Sequence, residues 1–309
     1  MPKFGPTKAA IDLNETHIVP KIPTPIRLQE YGVGLFRAAF TKSALKKALK
    51  KDYVTVNGVL ATSGTFIRGG EHIELSIPPK AGPKKKLIFP LRVLFEDDYL
   101  AVVHKPAGIL VSGNSFKTVA KALEGNLRPS GHVDATIPWP VHRLDYATTG
   151  ILLIGKTSSS IRNLNRMFED KAIKKTYYAV TIGSMERSGQ INAAVDGKAS
   201  QSEYTQVRSV ASERFGQLNL VRLEPRTGRR HQLRQHLSGI GNPILGDQIY
   251  GPDNLILRGK GLYLHAHSLQ FEHPLAPGEP VELKAPLPLR FTKLFGDDIV
   301  WCFFFILLF

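Results

Sequence analysis

The sequence predicts an α+β protein: a small N-terminal α+β unit, then a larger domain built on a mixed, largely antiparallel sheet. Three observations carry this. Short apolar runs bounded by turn residues dominate from Val93 onward, at Val93 to Phe95, Leu100 to Val103, Ile151 to Ile154, Tyr177 to Ile182, Leu218 to Leu223 and Leu262 to Leu264. Helical spacing is sparse and does not alternate regularly with these runs. Between the two parts, Pro78-Pro79-Lys80-Ala81-Gly82-Pro83 and the three lysines after it interrupt both helix and sheet.

Residues 1–25, rich in Pro, Lys and Thr without a sustained period, read as a mobile or wrapping arm. From Thr41 to Lys51, Leu45 and Leu49 recur at helical spacing while Lys46, Lys47, Lys50 and Lys51 project elsewhere, with Ser43 available as a cap. Tyr53-Val54-Thr55-Val56 and Val59-Leu60-Ala61-Thr62 flank Asn57-Gly58, the dipeptide that most readily supplies positive φ for a tight hairpin. Gly69-Gly70 introduces a strand over Ile73 to Ile77. These elements make a domain over 26–78, followed by a basic linker at 79–90 and the large domain at 91–295. Within the latter, Ile161, Leu164 and Phe168 predict an amphipathic helix over Ser159 to Asp170, with Thr157 and Ser158 as caps. The tail, 296–309, ends in eleven apolar or aromatic residues, too few to span a bilayer, and has no functional reading.

Lys and Arg exceed Asp and Glu by 41 to 26, a net charge of +15 that attracts a polyanion. Residues 1–90 carry +9 of it, so the front end is the more basic. Nucleic acid is the partner this suggests. Cys302 is the only cysteine, which rules out an intramolecular disulfide and a cysteine-rich zinc cluster and fits a cytoplasmic setting. No signal peptide or membrane span is expected. A GxxxxGK[ST] phosphate loop is absent, and Gly228 to Arg230 is read as lacking the strand and helix that such loops need. His231 and His236, five apart, do not share a helical face; His265 and His267 share a strand face but have no cysteine near them. No metal and no cofactor is expected.

Three segments concentrate polar and special residues. Tyr99 to Gly108 runs as a strand into Lys105-Pro106-Ala107-Gly108, a forced sharp turn. Pro140 to Gly150 contains His142-Arg143-Leu144-Asp145 just before an apolar strand, so Asp145 is set to be a partly desolvated carboxylate with a cationic neighbour. A structural ion pair would leave the same trace. Leu223 to Leu237 packs four arginines and two histidines into Arg226 to His236, suited to phosphates and base edges, or simply to a solvated basic loop.

In this order the segments resemble the RluA-type pseudouridine synthase family over about 91–290. The resemblance rests on HRLD with Thr148-Thr149-Gly150, on Lys175-Thr176-Tyr177-Tyr178-Ala179-Val180, on Arg226-Thr227-Gly228-Arg229-Arg230-His231-Gln232-Leu233-Arg234, and on Gly246-Asp247 with Tyr250-Gly251. Residues 31–77 resemble the alpha-L RNA-binding domain of a ribosomal small-subunit protein. The family's catalytic aspartate falls on Asp145, its base-stacking tyrosine on Tyr177 and the arginine that pairs with the aspartate on Arg234. Arg143 would fill the space left by an extruded nucleotide. His142, Lys105, Lys175, Arg226, Arg229, Arg230, His231 and Gln232, together with Lys46, Lys47 and Lys50 of the front domain, are the expected RNA-binding residues. Gln235 stands where an apolar residue is commoner, and Val111-Ser112-Gly113 lacks the histidine often found after KPAG.

The resemblance implies isomerisation of uridine in structured RNA, ribosomal RNA being favoured over transfer RNA, and a monomer is expected. The bond from ribose to uracil N1 breaks, the base turns, and a ring carbon rejoins the sugar. Asp145 would attack the anomeric carbon or remove a ribose proton. The target must leave the helical stack, at a cost of a few kcal/mol. Stacking on Tyr177, worth ~1–3 kcal/mol, offsets much of it. Two rivals remain: a glycosidase-like hydrolase, with Glu224 or Asp247 as second carboxylate, and a non-catalytic RNA-binding protein.

Overall fold

The computed structural model describes residues 13–78, 87–255, 257, 259–276 and 278–295. The apolar tail and the first twelve residues lie outside them. Chain contacts divide the protein between Lys85 and Lys86 into two compact units.

The first unit carries β1 (Leu13–Ile18), β2 (Ile26–Arg27), α1 (Leu28–Tyr31), α2 (Lys42–Leu49), β3 (Val54–Val56), β4 (Val59–Leu60), β5 (Phe66–Ile67) and β6 (His72–Ile77). Its main sheet has the order β1-β6-β3-β4, and β2 pairs with β5. The expected arm is therefore wrong over Leu13–Ile18, which lies antiparallel to β6 from Leu13↔Ile77 to Ile18↔His72. An edge strand is held by backbone hydrogen bonds rather than by an apolar stripe, so its residue pattern signals it weakly. The Glu15 carboxylate adds a tie by accepting from Arg37 N at 2.7 Å and Ala38 N at 2.9 Å. Helix α2 is capped by Thr41, whose Oγ1 accepts from Ala44 N at 3.1 Å; Ser43 lies inside the first turn. Leu45, Ala48 and Leu49 face the core with Phe36, Val54, Ile73 and Leu75, leaving Lys46, Lys47 and Lys50 exposed. The hairpin forms as expected, with φ of 49° at Asn57 and 78° at Gly58.

The second unit comprises β7 (Arg92–Glu96), β8 (Leu100–Lys105), α3 (Val119–Ala122), β9 (Ala135–Pro140), β10 (Thr149–Thr157), α4 (Ser158–Glu169), β11 (Lys174–Ile182), β12 (Ser188–Ile191), β13 (Ser202–Ser212), β14 (Gly216–Pro225), α5 (Gln232–Gly239), β15 (Leu264–Glu272), β16 (Pro280–Lys284) and α6 (Leu289–Thr292). Leu87 and Phe89 already pack against its core, so the expected linker does not reach residue 90. Thr157 caps α4 in a reciprocal pair with Ser160. One sheet runs β12-β13-β14-β11-β15-β10-β8-β7, with β16 beside β15 and β9 beside β10.

Every pairing in this sheet is antiparallel except β10 with β15, where Thr149 faces His265 and Gly150 faces Ala266. Antiparallel neighbours can be joined by tight turns, whereas a parallel pair needs a long crossover. Gly150 permits this junction: its φ is +116°, and a Cβ there would lie 2.1 Å from the Ala266 carbonyl oxygen. Registers continue from Ala266 to Tyr177 and from Tyr177 to Leu223, so one row crosses four strands. The loop before β10, the start of β11 and the end of β14 thus meet at one end of the sheet.

Candidate active site

Three chain segments converge at that end on a cavity of about 260 Å³, lined by Arg143, Asp145, Tyr177, His231 and Arg234 among others. This is slightly below the roughly 300–1,000 Å³ of drug-sized ligand pockets.

Asp145 sits in the turn between Leu144, which is buried, and β10. Its backbone is fixed from below by Lys105, a completely buried side chain whose Nζ donates to the carbonyls of Pro106 at 3.0 Å, Tyr146 at 3.2 Å and Thr148 at 2.8 Å. Gly108 N donates to the same Tyr146 oxygen at 2.9 Å. The Lys-Pro-Ala-Gly turn is thereby bolted to the Asp145 turn. Burial pushes the Lys105 ammonium down to about 8, against the opposing pull of Asp145. The expectation that Lys105 contacts RNA is corrected: a group with no exposed surface and three carbonyl partners has nothing left to offer a phosphate.

Arg234, on α5, carries the strongest electrostatic feature. Its Nε and Nη2 donate to Asp247 Oδ2 and Oδ1, each at 2.7 Å, while Nη1 stands 3.8 Å from Asp145 Oδ2. Its face lies 5.1 Å from the Tyr250 ring centre. Asp247 has no exposed side-chain surface and also accepts from Ile249 N and Tyr250 N. Burial pushes the Asp247 carboxyl up, but the Arg234 hydrogen bond, the two backbone N–H groups and the Arg234 charge together hold it below the ordinary range. Arg234 is thus clamped bidentately by Asp247 and presents its remaining edge to Asp145. The pairing expected between Arg234 and Asp145 is the longer of two, and the Asp247 clamp is what sequence reasoning missed. The signal was there in Gly246-Asp247 and Tyr250, three residues apart.

His231 Nε2 lies 3.7 Å from Asp145 Oδ1, and its Nδ1 is 3.1 Å from the Tyr250 hydroxyl. Tyr177 is half-buried, and its hydroxyl is held well above the ordinary phenol range by burial and then by the Asp145 charge. Thr148 Oγ1, also at the cavity wall, is buried and has no hydrogen-bond partner among the described residues.

Two more expected RNA contacts turn out to be internal. His142 Nε2 accepts from Leu153 N at 2.9 Å and its ring packs on Phe168 at 4.8 Å; burial, then the Lys175 charge, pushes its pKa down to about 3. Gln232 is saturated: Oε1 accepts from Thr227 Oγ1 and Arg229 N, and Nε2 donates to Gln201 O and Ser202 Oγ. Both side chains are engaged within the protein, against the expectation that they face outward to a ligand. Arg226 forms a bidentate surface pair with Glu203 at 2.9 and 2.7 Å. Arg143, Arg229 and Arg230 are exposed at the cavity, and Lys175 is half-buried beside it. The segment from Arg226 to His231 joins β14 to α5, so it does have the strand and helix context that the sequence reading denied it.

The two carboxylates considered as a second acid are otherwise engaged. Asp247 holds Arg234, and Glu224 lies 3.3 Å from Arg222 and 3.7 Å from Arg226. Neither flanks Asp145 across an open space, as glycoside hydrolysis requires.

A family model described as RNA pseudouridylate synthase matches residues 99–239. The chain is 30% identical to ribosomal large subunit pseudouridine synthase C of Rickettsia felis, over 89% of this chain and 98% of that one. It is 30% identical to ribosomal large subunit pseudouridine synthase D of Nitrosomonas europaea, over 81% of this chain and 78% of that protein. Among solved structures, human RNA pseudouridylate synthase domain containing 4 superposes with a TM-score of 0.52 at 26% identity, covering 65% of this chain and 90% of that one. With the identity to the Rickettsia felis protein held over nearly the whole of both chains, the protein belongs to the RNA pseudouridine synthase family.

Proposed function

We propose that Asp145 is the carboxylate that opens the glycosidic bond of an extruded uridine, in large-subunit ribosomal RNA. The observation that carries this is the convergence of Asp145, Tyr177 and Arg234, from segments far apart in the chain, on one cavity. Arg234, held by Asp247, supplies a fixed positive charge on one side of the carboxylate without seizing it. A preorganised charge of this kind costs no reorganisation when the reaction occurs. Attack at the anomeric carbon and removal of a ribose proton both use the Asp145 carboxylate in this position. Tyr177 supplies the face on which the detached uracil stacks. A polar atom of the nucleoside would satisfy Thr148 Oγ1, which otherwise costs about 1–3 kcal/mol as a buried unpaired group.

Arg143 occupies the gap left in the RNA, while Arg229, Arg230 and Lys175 neutralise phosphates around the cavity mouth. The first unit adds affinity through Lys46, Lys47 and Lys50 on the exposed face of α2. Ribosomal RNA is favoured over transfer RNA by the names of the relatives, which are large-subunit enzymes.

The test is Asp145→Ala against unmodified large-subunit ribosomal RNA transcribed in vitro. The variant should bind the transcript as the wild type does and form no pseudouridine. Release of free uracil by the wild type, instead of retention at unchanged mass, would indicate a hydrolase; pseudouridine formation by the variant would remove Asp145 from the chemistry.

A further inference from the structure

Isomerisation moves a proton as well as a bond. Once C5 of uracil joins the sugar it still carries its hydrogen, and N1 has none, so something must take a proton from C5. Among the groups lining the cavity, few carry a lone pair suited to this. Arg143, Arg229, Arg230 and Arg234 are permanent cations; Lys175 starts from an ordinary value of 10.5, which burial and then the Lys171 charge lower, and Tyr177 keeps its proton. Asp145 and His231 remain.

We propose that His231 is a second catalytic residue, whose Nε2 accepts the C5 proton. The proposal rests on the reading of Asp145 given above, which commits that carboxylate to the sugar. Three features of the geometry support it. At 3.7 Å, His231 Nε2 is too far from Asp145 Oδ1 for a hydrogen bond, so it is close to the reacting group yet uncommitted. The other ring nitrogen is engaged, 3.1 Å from the Tyr250 hydroxyl. In the tautomer whose Nδ1–H donates to that oxygen, Nε2 bears the lone pair, on the side of Asp145. Finally, His231 adopts a left-handed backbone, φ 55° and ψ 20°, at the N-cap of α5, and its side chain makes no capping hydrogen bond there. Such strain in a non-glycine residue persists where the surroundings enforce it. Here the imidazole lines the cavity and leaves the helix end uncapped.

The step balances without a redox partner. The C5–H electron pair becomes the C5=C6 double bond as the C6=N1 electrons move onto N1, which recovers a proton from the imidazolium or from water. Proton loss restores the conjugated ring, so a weak base suffices. Burial lowers the His231 pKa most; the Asp145 charge opposes it, the charges of Arg234 and Arg230 reinforce it and Asp247 opposes it again, and the balance lies below the ordinary histidine value, the direction that favours a free lone pair.

The experiment uses the full chain and large-subunit ribosomal RNA transcribed with uridine or with 5-deuterouridine, followed in single turnovers at saturating protein. Each conversion expels one deuteron, which mass spectrometry counts. His231→Asn is the variant to use, because asparagine tolerates the left-handed conformation. It should bind the transcript within about twofold of the wild type, convert it ~10²–10⁴-fold more slowly, and show a larger isotope effect at C5 as proton removal becomes limiting. Added imidazole should restore part of the rate. A slower variant whose isotope effect equals the wild type's would mean that His231 only positions Asp145, and a variant within threefold of wild-type rate would remove it altogether; either overturns the proposal. Asp145→Ala, run in parallel, tests the underlying reading separately, since conversion by that variant would discredit Asp145 whatever His231 does.

Discussion

Replacing Asp247 with asparagine isolates the clamp on Arg234. The substitution preserves shape but removes a charge, and one of the two 2.7 Å bonds to the guanidinium must be lost or reversed. The pair is buried, with 7% of the Arg234 side chain and none of the Asp247 side chain exposed. Removing one partner of such a pair costs about 3–5 kcal/mol, because the other charge is left without compensation. The lower end applies, since Asp145 remains at 3.8 Å as a substitute anion and the asparagine oxygen still accepts one bond. An expected loss of about 3 kcal/mol is a factor of more than 100 in the unfolding equilibrium of the catalytic unit. Urea unfolding followed by tryptophan fluorescence reads that unit, because both tryptophans, at 139 and 301, lie outside the first. Freed from the clamp, Arg234 should close on Asp145 and tie it down, so single-turnover conversion should fall more than RNA affinity. The sign of the pH dependence follows from the direction of the Asp247 shift. Its folded pKa is depressed, so its contribution is complete above the unfolded value near ~3.9 and is lost as pH falls through the lower folded value. Wild type and Asp247→Asn should therefore converge in stability as the solution is acidified. A variant within 1 kcal/mol of wild type at neutral pH, by the standard of ordinary surface changes, would refute the clamp.

Lys105→Met should leave the Pro106, Tyr146 and Thr148 carbonyls unpaired, at about 1–3 kcal/mol for each that finds no substitute, and should slow conversion in protein that is still folded. Wild-type activity should decline as pH rises through about 8, where Lys105 loses its proton, and that limb should be missing from any residual activity of the variant. Gly150→Ala should abolish soluble expression or destabilise the enzyme severely, because the new Cβ meets the Ala266 backbone; near-normal melting would show that the junction yields. Changing Lys46, Lys47 and Lys50 together to alanine should weaken RNA binding and flatten its dependence on log salt by about 0.7 per lost phosphate contact, with conversion at saturating RNA unchanged.

The parts of the fold that were legible in the sequence are those with a local cause. Asn57-Gly58 announces its hairpin, Leu45 and Leu49 their helix, and Ile161, Leu164 and Phe168 theirs, because each signal is confined to a few residues. Strands β9, β12, β13 and β16 escaped notice because partial burial or edge position dilutes their apolar alternation, as the half-exposed pattern of Ser202–Ser212 illustrates. At the site, motif order pointed to Asp145, Tyr177 and Arg234, which line one cavity. It could not separate polar residues that face the cavity from those that hold it up. Lys105, His142 and Gln232 look like binding residues in sequence, and only their burial and saturated hydrogen bonds reveal them as scaffold. Composition records a side chain's chemistry, whereas its partners are set by segments a hundred residues away.

The parallel pairing of β10 with β15 has a consequence for how the enzyme comes into being. β8 and β9 both pair with β10 and lie close to it in sequence, so that half of the sheet can form early from nearby chain. Thr149 and His265, by contrast, are 116 residues apart and meet only after the whole intervening chain has been laid down. Contacts of such long separation are slow, since the entropy of closing the loop is spent before the contact rewards it. The row from Gly150 through Ala266 and Tyr177 to Leu223 should then assemble last, and with it the cavity. Pulse-labelled hydrogen exchange during refolding would register this as late protection of β15 relative to β8. Until that final closure, a chain emerging from synthesis can carry a folded front domain and half a sheet without yet being able to modify RNA.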